Sequence, residues 1–107
     1  MTILDRGQLD LLLLGAVTHR PATGADVASA VRTSTGGAIV VSPQTTFQAL
    51  HRLTRNRLMR RLPDQRYELT PVGERSLAAR HRKWQRIDAA VRTLRDGNGN
   101  GNGNGNG

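Results

Sequence analysis

The sequence predicts a mainly α fold closed by a small β-hairpin. Apolar side chains recur at three-and-four spacing in three long segments, which is the repeat of a helix with one buried face. Two of those segments open with a hydroxyl residue followed by proline, Ser42-Pro43 and Thr70-Pro71. Between them, LMRRLPDQRYELT (58–70) alternates its side chains at both ends of a Pro-Asp-Gln turn, the period of a strand. The resulting order is helix, helix, short strand, helix, hairpin, long helix.

The first helix is expected from Ile3 to about His19, with Leu9, Leu12, Leu13, Ala16 and Val17 on one face. Leu11 and Leu14 widen that stripe until little of the circumference is polar, so this helix needs cover on more than one side. Pro21 breaks the chain, and Thr23 with Asp26 three residues on reads as a cap opening a second helix through about Thr33. Ala38 to Val41 is a β-branched run, expected as a short strand. Ser42-Pro43 starts the third helix, because the hydroxyl can accept from a first-turn amide and proline sits where its missing N–H is not needed. Taking about 100° per residue from Leu50, the positions of Thr46, Leu53 and Phe47 fall within about 60° of it, whereas Thr45, Gln48, Arg52 and Arg55 fall opposite. In the hairpin, Tyr67 and Leu69 should face the core and Arg66 and Glu68 the solvent. The last helix, from Thr70-Pro71 to about Arg95, carries Leu77, Trp84, Ile87, Val91 and Leu94 as a seam that only Arg80 interrupts. Three regions follow: 1–69 as one folded domain, 70–96 as a long helix, and 97–107 as a Gly/Asn tail with no apolar side chain, expected to be disordered.

Charge is unevenly placed along the 107 residues. Residues 1–50 balance three Arg against three Asp, residues 51–66 carry six Arg against Asp64 alone, and residues 67–95 hold seven basic side chains against three acidic ones. A formal net charge of +8 concentrated in this way points to a polyanionic partner. Fifteen of the sixteen cations are Arg, whose planar fork suits phosphate and guanine. The absence of cysteine removes disulfides, thiol catalysis and zinc ribbons. His19, His51 and His81 lie on three different expected elements without the paired spacing of a metal site, and neither a nucleophile elbow nor a phosphate loop occurs. No enzyme activity, cofactor or metal is therefore expected. LLLLGAV (11–17) is too short to span a bilayer, and Asp5, Arg6 and Asp10 leave the residues before it net negative, unlike a signal peptide. The expectation is a soluble protein of the cytoplasm, associated with the nucleoid.

Helix, helix, recognition helix and hairpin is the order of the winged helix-turn-helix. Three strings resemble one family within it, the PadR-type transcriptional regulators: LLLLGAVTHRPATGADVASAV (11–31), SPQTTFQALHRLTRNRLMRR (42–61) and RYELTPVGERSL (66–77). The chain departs from the family's pattern at Phe47, where a tyrosine is usual, at Ala25, where an aromatic is usual, and in a shorter wing tip. The resemblance implies pairing of two copies through the first and last helices, a long C-terminal dimerisation helix, and in some relatives a planar aromatic ligand held in that seam.

Residues near the start of a recognition helix reach base edges in the major groove, which nominates Gln44, Thr45 and Gln48, with Arg52 next for a guanine edge or a phosphate. The arginines from Arg55 onward, Arg55, Arg57, Arg60 and Arg61, with Arg66 at the wing, are read as phosphate contacts. The same arginines would suit the solvated face of an ordinary amphipathic helix, but their one-sided placement on a helix-turn-helix order favours double-stranded DNA. Leu12, Leu77, Trp84, Ile87, Val91 and Leu94 are the candidates for a homodimer interface or a small aromatic effector, Trp84 being first an interface anchor. The expected function is a DNA-binding repressor acting as a dimer on a two-fold symmetric operator. The rival reading is a winged-helix module that docks another protein, which would not need cations gathered on one helix and the adjoining hairpin.

Overall fold

The computed structural model describes residues 4–97. Its elements are α1 (Arg6–Ala16), β1 (Ala22–Thr23), α2 (Gly24–Ser34), α3 (Pro43–Arg55), β2 (Met59–Arg61), β3 (Arg66–Leu69) and α4 (Pro71–Arg95). They fall into two compact units that divide after Leu77, inside α4 and not at its start.

In the first unit the caps set the helix bounds. Asp5 closes the start of α1 reciprocally: its carboxylate accepts from the Gln8 amide at 2.7 Å, and the Gln8 side chain accepts from the Asp5 amide at 3.2 Å. The expected start at Ile3 lies outside the described residues. The helix stops short of His19 because the Val17 amide and the Thr18 hydroxyl both turn back to the Leu14 carbonyl. Thr23 caps α2 by accepting from the Asp26 amide at 3.2 Å, and Ser42 caps α3 by accepting from the Thr45 amide at 3.1 Å, with Pro43 in the first turn.

The strand expected at Ala38–Val41 does not form. Thr35 takes up that backbone instead, its hydroxyl accepting from the Ile39 amide at 3.0 Å and lying 3.4 Å from the Ile39 carbonyl oxygen. Ile39 and Val41 then pack against the core as side chains, so β-branching here serves burial and not pairing. The third strand is β1, which pairs antiparallel with β3 (Ala22 opposite Tyr67) to give the order β1-β3-β2. Two residues are too few to carry an alternation that sequence could reveal.

The core gathers Leu13, Leu14 and Val17 below Val27 and Val31 of α2, Ala49, Leu50 and Leu53 of α3, and Met59 and Tyr67 of the hairpin. Tyr67 and Leu69 face it as the alternation predicts, with Arg66 exposed. The core face of α3 differs from expectation: Phe47 is 59% exposed, and Ala49 is buried. The buried set Ala49, Leu53, Thr46 and Leu50 is centred about 50° to one side of Leu50, which leaves Phe47 about 110° from that centre.

The wing begins where Arg57 adopts φ 66° and the Leu58 amide reaches back to the Leu53 carbonyl at 3.0 Å, ending α3. Gln65, at φ 72°, completes the tight turn between β2 and β3. Thr70 then ties wing to α4, its hydroxyl donating to the Arg57 carbonyl at 2.7 Å and accepting from the Gly73 amide at 3.0 Å. Gly73 is required by close approach, since a Cβ there would stand 1.9 Å from the Leu58 carbonyl oxygen.

The second unit continues α4. Its seam residues Ile87, Val91 and Leu94 are 44%, 52% and 78% exposed, and Trp84 is half-buried. The helix runs to Arg95 as expected, with Asp88 and Arg92 paired at 2.7 Å one turn apart. The expected disordered tail lies, from residue 98 onward, outside the described residues.

Candidate nucleic-acid interface

Helical geometry sets the candidate reading face of α3. Gln44, Phe47, Gln48, His51 and Arg55 are all exposed, and at about 100° per residue they share an arc about 100° wide, turned away from the buried side. Thr45 is exposed as well, its hydroxyl accepting from Ser42 Oγ at 3.0 Å. Of the candidates on this helix, Gln44, Gln48 and Arg55 therefore stand together in solvent with no ion pair among the described residues.

Arg52 does not join them. Both of its terminal nitrogens are held by Asp10 of α1, at 2.8 and 3.1 Å, in a two-pronged pair whose side chains are 19% and 7% exposed. The fork that would address guanine is closed on a carboxylate, so Arg52 fastens α3 to α1. Asp10 was absent from the candidate residues. The available signal was a lone acid inside a leucine run, where an unpaired charge is costly.

The wing's arginines divide in another way. Arg60 lies opposite Glu68 across the β2–β3 ladder and donates to it from Nε at 2.9 Å. Arg66 Nε donates to Asp64 at 2.6 Å. Desolvation of Asp64 pushes its pKa upward, but the hydrogen bonds and charge of Arg66 outweigh this and hold the carboxyl below the usual carboxylate range. These pairs lie in solvent, Arg60 being 62% and Arg66 46% exposed, so they are weak and open to exchange with another anion. Arg55, Arg57 and Arg61 are exposed and form no ion pair among the described residues. Arg57, with a left-handed backbone at the end of α3, stands exposed among the arginines from Arg55 onward that the sequence nominates for phosphate.

The seam residues are placed in both units. In the first, Leu12 lines a shallow groove of about 220 Å³ between α1 and α2, together with Leu11, Gly15, Ala16 and Ala30, and Leu77 packs against the core. In the second, Trp84, Ile87, Val91 and Leu94 recur along α4. Among the described residues no three His, Asp or Glu side chains form a group that could hold a metal ion, and no helix is long and apolar enough to cross a membrane.

Solved structures share this architecture. A transcriptional regulator from Clostridium thermocellum superposes with a TM-score of 0.73 at 20% identity, over 82% of this chain and 93% of that one. A PadR-like transcription factor from Bacteroides fragilis does so at 0.67 and 20% identity, over 83% and 91%. A PadR family transcription regulator from Clostridium difficile gives 0.67 at 18% identity, over 80% and 96%. The chain has the winged-helix fold of PadR-type regulators. At these identities the likeness is one of fold. No protein-family model matches the sequence, and no curated protein matches it. On this chain's third helix Arg52 turns inward onto Asp10 and Phe47 stands in solvent among glutamines.

Proposed function

We propose that the protein is a DNA-binding transcriptional regulator of PadR type that acts in the cytoplasm as a homodimer and represses from a two-fold symmetric operator. The observation that carries this reading is the exposed face of α3, where Gln44, Gln48 and Arg55 stand in solvent on a winged-helix frame that also exposes Arg57 and Arg61. In this reading α3 enters the major groove, Gln44, Thr45 and Gln48 address base edges, and Arg55 and Arg61 neutralise phosphates. Arg60 and Arg66 join them by leaving Glu68 and Asp64, an exchange that solvent-exposed pairs allow at little cost. Arg52 stays with Asp10 and supports the helix from behind.

Dimerisation is supported by the apolar side chains that α4 leaves in solvent, Ile87, Val91 and Leu94, since a seam of that length is covered in stable proteins by a second helix. A dimer sets the separation of two recognition helices, which must match half-sites about 34 Å apart. A planar aromatic effector beside Trp84 would act by favouring one dimer geometry over another.

The test is a titration of the full chain against duplex DNA from upstream of its own gene at increasing salt. With about six to ten phosphate contacts per dimer, affinity should fall roughly 10³- to 10⁵-fold between about 50 and 200 mM salt. An affinity that does not respond to salt would remove DNA as the partner and leave a protein-docking role for the same face.

A further inference from the structure

We infer that Phe47 is a sequence-reading residue, whose ring packs on the C5-methyl group of a thymine in the major groove. This rests on the DNA-binding reading above and adds to it a base preference at one position.

Phe47 is 59% exposed, whereas the chain's one tyrosine, Tyr67, is 5% exposed and its one tryptophan is half-buried. A single apolar residue in solvent is ordinary on a protein surface. Phe47 differs in its setting. It lies one turn from His51, adjoins Gln48 and follows Gln44 by three residues, all exposed and polar and all on the arc that faces away from the core. An apolar docking site for another protein would surround the ring with further apolar surface, and these neighbours provide none.

The chemistry of base edges supplies an apolar counterpart instead. Major-groove edges present donors and acceptors, and thymine alone adds a methyl group beside its O4 acceptor. A phenyl ring carries no donor or acceptor, so it gains by covering that methyl and loses by covering the N4 amine of cytosine, which it would strip of water without replacing the hydrogen bond. Gln44, three residues before the ring, and Gln48, one residue after it, can pair with adjoining bases and so hold the ring in place. The consequence is a preference for thymine over cytosine, and over uracil, which is thymine without the methyl.

The experiment begins by selecting preferred duplexes from random sequence with the full chain. Each thymine of the selected site is then replaced singly by deoxyuridine, symmetrically in both half-sites, and affinities are measured for the wild type and Phe47→Ala. At one thymine per half-site the wild type should lose about fourfold per half-site, the effect of one methyl-sized burial. Phe47→Ala should bind the unmodified site at least as much more weakly, should no longer distinguish thymine from deoxyuridine at that position, and should match the wild type on unrelated duplex. Phe47→Leu, which restores apolar bulk, should recover part of the discrimination. Because the ring is exposed, the thermal melt of Phe47→Ala should coincide with that of the wild type, separating loss of reading from loss of fold. Undiminished affinity of Phe47→Ala for the selected site, or a wild type indifferent to every deoxyuridine replacement, would overturn the assignment while leaving DNA binding intact. Failure to select or bind any duplex would overturn the DNA-binding reading, and this inference with it.

Discussion

Helices α3 and α4 begin alike and end differently. Each opens with a hydroxyl cap and a proline, Ser42-Pro43 and Thr70-Pro71, and each carries apolar side chains at three-and-four spacing. The apolar side of α3 is closed: Ala49, Leu50 and Leu53 are at most 3% exposed, and Arg52 is held against α1 by Asp10. α4 is closed only at its start, where Gly73 is buried under the Leu58 carbonyl, and Ile87, Val91 and Leu94 beyond are exposed. Apolar periodicity alone therefore says that a face will be covered, but not by what. α3 finds its cover within the chain, and in the proposed dimer α4 would find it in a second copy.

The largest expected effect comes from opening the closed helix. Arg52→Ala removes the two-pronged Arg52 contact from the nearly buried Asp10 carboxylate, and should lower the unfolding free energy by about 3 kcal/mol, the low end of the range for breaking a buried pair because Arg52 is partly solvated. Urea denaturation measures this. A variant as stable as the wild type that loses only DNA affinity would return Arg52 to the reading face.

The anchored start of α4 is tested by Gly73→Ala. The added methyl cannot be accommodated 1.9 Å from a backbone oxygen, so the first turn must move away from the wing, at about 2–3 kcal/mol. An unchanged thermal midpoint would show that this contact is not needed to fix the helix.

The open part of α4 is tested by Trp84→Ala. As the anchor of a dimer seam, Trp84 should contribute about 2 kcal/mol, so its removal should raise the dimer dissociation constant roughly thirtyfold in sedimentation experiments. Gln48→Ala, on the other face of the protein's chemistry, should leave that constant unchanged. A fully dimeric Trp84→Ala would take the tryptophan out of the seam.

The smallest effect is expected inside α3. Thr46 is 1% exposed and its hydroxyl has no hydrogen-bond partner among the described residues. Thr46→Val replaces an unpaired hydroxyl by a methyl of similar volume and should change stability by less than about 1 kcal/mol, in the stabilising direction. A loss greater than that would mean the hydroxyl is satisfied in solution and belongs to the core's polar structure.

Much of this molecule is fixed by local rules that operate within a few residues. Ser42-Pro43, Thr70-Pro71 and Thr23 set helix starts because a side-chain oxygen beside the unpaired amides of the first turn caps them wherever the chain lies. The alternation across Pro63-Asp64-Gln65 makes a hairpin because a period of two buries one side of a strand. The cationic block of residues 51–66 is a matter of composition, and with the helix order it suffices to suggest a nucleic-acid partner. Tertiary structure decided what depends on distances between residues far apart in the chain. Forty-two positions separate Asp10 from Arg52, and only the packing of α1 on α3 turns a candidate base reader into a support. Two residues at Ala22–Thr23 become a strand because β3 offers them an edge, while Ala38–Val41, with the stronger β propensity, does not, because Thr35 has already taken its backbone. Centring the buried arc on Leu50 places Phe47 in the core. The centre lies about 50° away, set by where α1, α2 and the hairpin meet α3, and no pattern along a single helix contains that angle.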